Sequence, residues 1–194
     1  MVKPVSLNER LQLVIPIYAD DSDTITAYIH SAPISRETFE AHYALVARTF
    51  SAIYADTLGA VAGPRIASLV LNKVAAESGD TLGAMALLNE IRRLTNVVSR
   101  GPHGWVTEQF QDALDHKSLN EDDLAEVTNA IVFFTVASAI YPRRMLRPMM
   151  DSVMPVWGAR ITFSNFTAFI ASLGTSTADA STQKTLAPGS SVAY

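Results

Sequence analysis

The chain has 194 residues, of which 48% are hydrophobic, and a mean hydropathy of +0.17. That is enough apolar material for one domain with a sizeable core, and disorder throughout is excluded. A net charge of −4 lacks the clustered cations that a nucleic-acid-coating protein needs for counterion release. With no cysteine, disulfides, thiolate nucleophiles and Cys-ligated metals are excluded, and nothing depends on an oxidising compartment.

Residues 1–10 contain Lys3 and Arg10 but no apolar run with a small-residue cleavage site, so no signal peptide is expected. Leu11, Leu13, Ile15 and Ile17, then Ile25, Ala27 and Ile29, alternate with their neighbours on either side of Asp20, Asp21, Ser22 and Asp23. This pattern predicts a β-hairpin with a polar tip, and Pro16, which cannot donate to a ladder, places its first strand at a sheet edge. Ser35 is a suitable N-cap, with Ile34 and Phe39 as a hydrophobic staple, and the stripe Phe39, Tyr43, Val46, Phe50, Ile53, Tyr54 predicts a long helix to about Thr57. After Gly59–Gly63 breaks the pattern, Pro64 opens a second helix carrying Ile66, Leu69, Val70 and Val74 inward, closed by Gly79.

Asp80 or Thr81 caps a third helix whose predicted inner side is Leu82, Met85, Leu88, Ile91, Leu94 and Val98, followed by a Gly-Pro-His-Gly loop at 101–104. A short helix is expected around Phe110 to Leu114. Asn120, followed by Glu121, Asp122 and Asp123, starts a central helix with the stripe Leu124, Val127, Ile131, Phe134, Ala137 and Tyr141. Val132 and Phe133 make it apolar on further faces, as in a helix surrounded by others. The apolar run at 130–141 is too short to span a membrane and reads as core. Pro142 ends this helix, and two short helices follow, Leu146 to Trp157 and Asn165 to Leu173, separated by Gly158.

The last 21 residues, 174–194, are almost all Thr, Ser, Ala, Gly and Pro. They hold too little apolar surface to offset the ~1 to 2 kcal/mol per residue that backbone ordering costs, and are expected to form a free arm ending in Tyr194, or one that orders on a partner.

The candidate chemistry is sparse. Asp20, Asp21 and Asp23 lack the Gly and distal Glu of a calcium loop. His30, His42, His103 and His116 show no ligand spacing and are expected at the surface or in loops. The pairs Arg92, Arg93 and Arg143, Arg144, with Arg147 nearby, lie in or just past the last turn of a predicted helix, where cations favour the macrodipole; a grip on phosphate is the lesser alternative. No Gly-x-Ser-x-Gly elbow or isolated carboxylate in an apolar run is present. Trp105 and Trp157 are candidates either for core caps or for anchors on another chain.

Several segments together resemble a family of proteins encoded by tailed bacteriophages. They are Pro33-Ile34-Ser35-Arg36-Glu37-Thr38-Phe39-Glu40, Gly63-Pro64-Arg65-Ile66-Ala67, Asn89-Glu90-Ile91-Arg92-Arg93-Leu94-Thr95-Asn96-Val97 and Gly104-Trp105. Glu126-Val127-Thr128-Asn129-Ala130-Ile131-Val132-Phe133-Phe134-Thr135-Val136, Trp157-Gly158-Ala159 and Ser172-Leu173 complete the set. The resemblance spans about Leu7 to Thr177, and its residues are caps, core and loops without chemistry of their own. It implies a virion morphogenesis protein, often described as a tail assembly chaperone: a helical protein that coats the tape-measure protein and recruits tail-tube subunits. Many such chaperones carry a longer frameshifted extension, which the Ser/Thr-rich end does not resemble. That brings in a second role, a structural virion component such as a minor tail or head-to-tail connector protein.

The expectation is therefore a mainly α protein: a multi-helix bundle (32–173) with an N-terminal β-hairpin segment (1–31) and an extended C-terminal arm (174–194). It is expected to be non-enzymatic, without cofactor or metal, acting in the host cytoplasm during assembly or residing in the virion. Its expected partners are tape-measure, tail-tube or connector subunits, or further copies of itself, with no membrane and no specific nucleic-acid binding. The candidate interaction residues are Trp105, Trp157, Arg143, Arg144, Arg147 and Tyr194.

Overall fold

The computed structural model describes residues 11–19, 23–55, 59–116 and 119–173. Asp20 and Asp21 of the hairpin tip, and the C-terminal arm with Tyr194, lie outside the described residues. Among those described, five strands form one antiparallel sheet in the order β4-β3-β2-β1-β5. They are β1 (Gln12–Tyr18), β2 (Ile25–Ser31), β3 (Thr95–Gly101), β4 (Gly104–Gln109) and β5 (Arg160–Thr162). The helices are α1 (Arg36–Ala41), α2 (Tyr43–Ala55), α3 (Gly59–Ser78), α4 (Thr81–Arg93), α5 (Phe110–Asp115), α6 (Glu121–Ile140), α7 (Arg143–Val153) and α8 (Phe166–Ser172), with a 3-10 turn at Met154–Trp157.

The fold is mixed α/β, which corrects the expectation of a mainly α multi-helix bundle whose only sheet is an N-terminal hairpin. The misreading has a local cause. Leu94 and Val98 continue the four-residue spacing of α4, yet the helix stops at Arg93. The β-branched residues Thr95, Val97 and Val98 then run extended against β2, with Thr95 opposite Ser31, Val97 opposite Ile29 and Val98 opposite Tyr28. The Gly-Pro-His-Gly segment is the β3–β4 hairpin turn: Gly101 faces Gly104, and Gly104 has φ of +123°, a conformation that side chains rarely adopt. The join is tied by Ser31 and Thr95, whose hydroxyls lie 2.9 Å apart, and by Thr95 Oγ1 donating to the Ile91 carbonyl at 2.8 Å.

Pro16 also has a different setting from the expected edge. Strand β1 pairs with β5 from Gln12 to Val14, so there it is interior; past Val14 the β5 ladder stops, and Pro16 has a strand only on its β2 side, opposite Tyr28. A residue without an N–H donor sits where one neighbour is missing.

The helical side departs from expectation in detail. The helix expected from Ser35 to Thr57 is broken at His42 into α1 and α2, although Ser35 does cap it, accepting from the Thr38 N–H at 3.0 Å. Pro64 lies inside α3, which starts at Gly59, and Leu69, expected inward, is exposed. In α4, capped by Asp80, the inner residues are Ala84, Leu87 and Ile91, while Leu82 and Met85 face out. Asn120 caps α6 by accepting from the Asp123 N–H at 2.7 Å, and ten of the 20 residues of α6 are buried.

One face of the sheet, carrying Leu13, Ile15, Ile17, Ala27, Ile29 and Val97, packs in the main core with α6 residues Ile131, Phe133 and Phe134. Helix α3 crosses α6 so closely at Gly63 that a Cβ built there would overlap the Phe133 ring. One turn on, Asn129 Oδ1 accepts from both the backbone N–H (2.9 Å) and the hydroxyl (2.6 Å) of Ser68. Its Nδ2 donates to Ala125 O at 3.0 Å, so a buried amide is satisfied while it pins the two helices. Among the described residues α6 is the one helix long and apolar enough to cross a membrane by length and composition, and 56% of that stretch is buried inside the protein.

The opposite face of the sheet is covered by α8. Val14, Val98 and Phe169 are buried there, with Tyr28, Trp105, Phe166, Ile170 and Leu173 packed around them. The short helix thus makes a second, smaller core.

Candidate interaction surface

Helix α7 is the most sharply two-sided element of the protein. Leu146, Met150 and Val153 are buried, whereas Arg143, Arg144, Met145 and Arg147 are exposed. The structure corrects the placement of Arg143 and Arg144: they occupy the first turn of α7, not the last turn of the preceding helix. There the helix dipole is positive, and cations are disfavoured by roughly 0.3 to 1 kcal/mol each instead of being favoured. The first turn holds no acidic residue and the N-cap, Pro142, makes no side-chain cap. Arg147 approaches Asp151 at 3.8 Å and lies over the Phe163 ring, 4.9 Å from its centroid. Phe163 and Met145 are both 51% exposed, so apolar side chains as well as cations reach solvent at this end of the protein.

Arg143 also lines a groove of about 370 Å³ between α1, the end of α6 and α7, with Leu11, Ile34, Phe39 and Leu146 as apolar lining. Arg36, on its rim, donates to Glu40 at 2.7 Å, a bond that raises the already high pKa of the guanidinium. The other pair, Arg92 and Arg93, does end its helix as expected. Arg93 grips Glu90 with two bonds of 2.6 and 2.7 Å, which hold the Glu90 carboxyl below its ordinary pKa.

Trp105 is half-buried on the α8 side of the sheet, with its ring 5.4 Å from Tyr28. It caps the second core. Trp157 ends the 3-10 turn that joins α7 to the segment leading into β5, and Tyr194 lies outside the described residues. The structure therefore groups Arg143, Arg144 and Arg147, and sets Trp105 on a different part of the molecule.

A second groove, of about 500 Å³, runs between β1 and the first half of α6 and is lined by Ile15, Tyr18, Val127, Asp123 and Glu126 among others. Glu126 faces Arg65 of α3 at 3.7 Å. Among the described residues its polar lining is Tyr18, Asp123 and Glu126. Among the described residues no group of three or more His, Asp and Glu could hold a metal ion.

The residue that sequence reasoning misplaced most is His30. Expected at the surface or in a loop, it is 1% exposed, held under α8 between the rings of Phe166 and Phe169. The alternation of Ile25, Ala27 and Ile29 does put His30 on the outer side of β2; its cover by Phe166 and Phe169 comes from a distant element.

Comparison of the chain with protein-family models, with curated proteins and with solved structures finds no match in any of the three.

Proposed function

We propose that the protein is a non-enzymatic morphogenesis protein of a tailed bacteriophage, acting as a tail assembly chaperone that holds partner subunits by surface association. The phage assignment rests on the family-like sequence segments. The observation that supports association is the α7 end: three arginines at or next to the helix terminus that disfavours cations, beside the half-exposed Met145 and Phe163. Such a terminus lowers helix stability in isolation, and anionic groups on a partner would offset that cost while the apolar side chains lose water. The partner fitting this surface presents carboxylates around an apolar patch, as a tail-tube or tape-measure subunit could.

The test replaces Arg143, Arg144 and Arg147 together by Gln in the phage gene. Removing the two first-turn cations relieves about 0.3 to 1 kcal/mol each, so the purified triple variant should melt at or slightly above the wild type. The phage should then accumulate filled heads without tails. Heads that leak DNA would assign the protein to the head-to-tail connector instead, and a normal particle yield would remove the α7 face from the functional account.

A further inference from the structure

His30 is an ionisable group buried with an unmet polar atom. Its Nε2 lies 3.3 Å from the Ser164 carbonyl oxygen; a carbonyl only accepts, so Nε2 carries the proton and the neutral ring has its lone pair on Nδ1. That Nδ1 is buried and has no hydrogen-bond partner. The ring centroids of Phe166 and Phe169 lie 5.4 and 5.3 Å away, and Phe169 stands edge-on to Tyr28 at 5.5 Å. Imidazole and phenyl rings together form the contact between α8 and the sheet.

Among the described residues nothing charged faces this ring from the elements around it. The cross-strand neighbours of His30 are Val14 and Asn96, and α8 reads Phe-Thr-Ala-Phe-Ile-Ala-Ser. Among the described residues, the ionisable groups nearest in register on the same sheet face are Tyr28, two residues along β2, and Arg160, opposite Val14 on β5 and exposed. Burial lowers the His30 pKa from 6.5, and only two backbone carbonyls, those of Ser164 and of His30 itself, work against it. A proton added at Nδ1 places a cation among aromatic rings with only these backbone carbonyls to offset its burial.

We propose that α8 is a pH-gated cap, seated on the sheet while His30 is neutral and released when the ring takes up its second proton. Release is all-or-none for so short an element. Seven residues cannot hold a helix in water without a packing face, so α8 unravels once unseated. It would uncover Val14 and Val98, with the half-buried Tyr28 and Trp105 beside them, an apolar surface that α8 covers.

The sign follows from the lowered pKa. The capped state binds fewer protons than the open one, so capping is strongest above about pH 6.5 and weakens as pH falls through the window below it. The open population should rise about tenfold per pH unit until the capped-state pKa is reached.

Native-state hydrogen exchange on the full chain tests this. Protection of the Phe169 and Leu173 amides, corrected for intrinsic exchange, should fall as pH drops from roughly 7.5 to 5, by up to about tenfold per unit below about pH 6.5, with α6 amides unchanged. In His30→Gln, whose side-chain amide can still donate to Ser164 but cannot titrate, α8 protection should not vary with pH. Flat protection in the wild type, or an equal loss in His30→Gln, would overturn the proposal. Should the variant not fold, the wild-type ring is read directly by NMR. The expected result is an Nε2–H tautomer that protonates below about pH 6.5, in step with α8 opening; protonation with α8 still protected would overturn it.

Discussion

Phe134→Ala should lower the free energy of unfolding by about 3 to 5 kcal/mol. Phe134 is fully buried, near the middle of α6, in the core shared with the sheet. The loss combines the transfer free energy of the ring with the cavity left behind, because the surrounding helices relax only in part. A domain stable by about 5 to 15 kcal/mol would forfeit a large share. Urea titration followed by circular dichroism measures it, with the slope of the transition unchanged if the native state stays compact. A loss below about 1 kcal/mol would mean that the ring does not occupy the core.

Gly63→Val should destabilise by roughly 1 to 3 kcal/mol through overpacking at the α3–α6 crossing. Two effects compete. Removing a helical glycine gains at most about 1 kcal/mol in helix propensity. Against that, the new Cβ would overlap the Phe133 ring and lie 3.1 Å from Ile53 Cγ2, and both neighbours are buried with little freedom to move. The steric term should win, and shortening the opposing residue should relieve it. The double variant with Phe133→Leu is expected to be more stable than the sum of the single changes, by a coupling of about 0.5 to 3 kcal/mol. Strict additivity would show that the helices do not meet at this pair.

The elements that sequence reasoning located well are those specified by their own residues. Ser35, Asp80 and Asn120 each cap a helix through a side-chain bond to a backbone N–H three residues on, a signal that requires no knowledge of the rest of the fold. Helix α6 was legible because it is apolar on more than one face, as its burial requires. Strand β3 was not, because Leu94 and Val98 fit the helical period of α4 and the strand is decided by pairing with β2, 64 residues earlier at Ser31 and Thr95. The inner face of α4 was read correctly at Ile91, Leu88 and Leu94 but not in its first turns: large residues were taken as core, whereas Ala84 fits the close packing and Leu82 and Met85 are left to solvent. At the candidate site the arginines were named, but their environment was inverted, since whether Arg143 ends one helix or begins another depends on where Pro142 breaks the chain. His30 required knowing that α8 folds back over β2, which no local pattern contains.

The central claim, that the protein works by association during assembly, is tested most directly by quantitative mass spectrometry of purified phage particles beside the soluble assembly complexes from the same infected cells. A tail assembly chaperone should be abundant in complexes with tail-tube or tape-measure subunits and absent or present only in trace in mature particles. A fixed copy number in mature particles would contradict the chaperone reading in favour of a virion subunit, and absence from both fractions would contradict the claim of association itself.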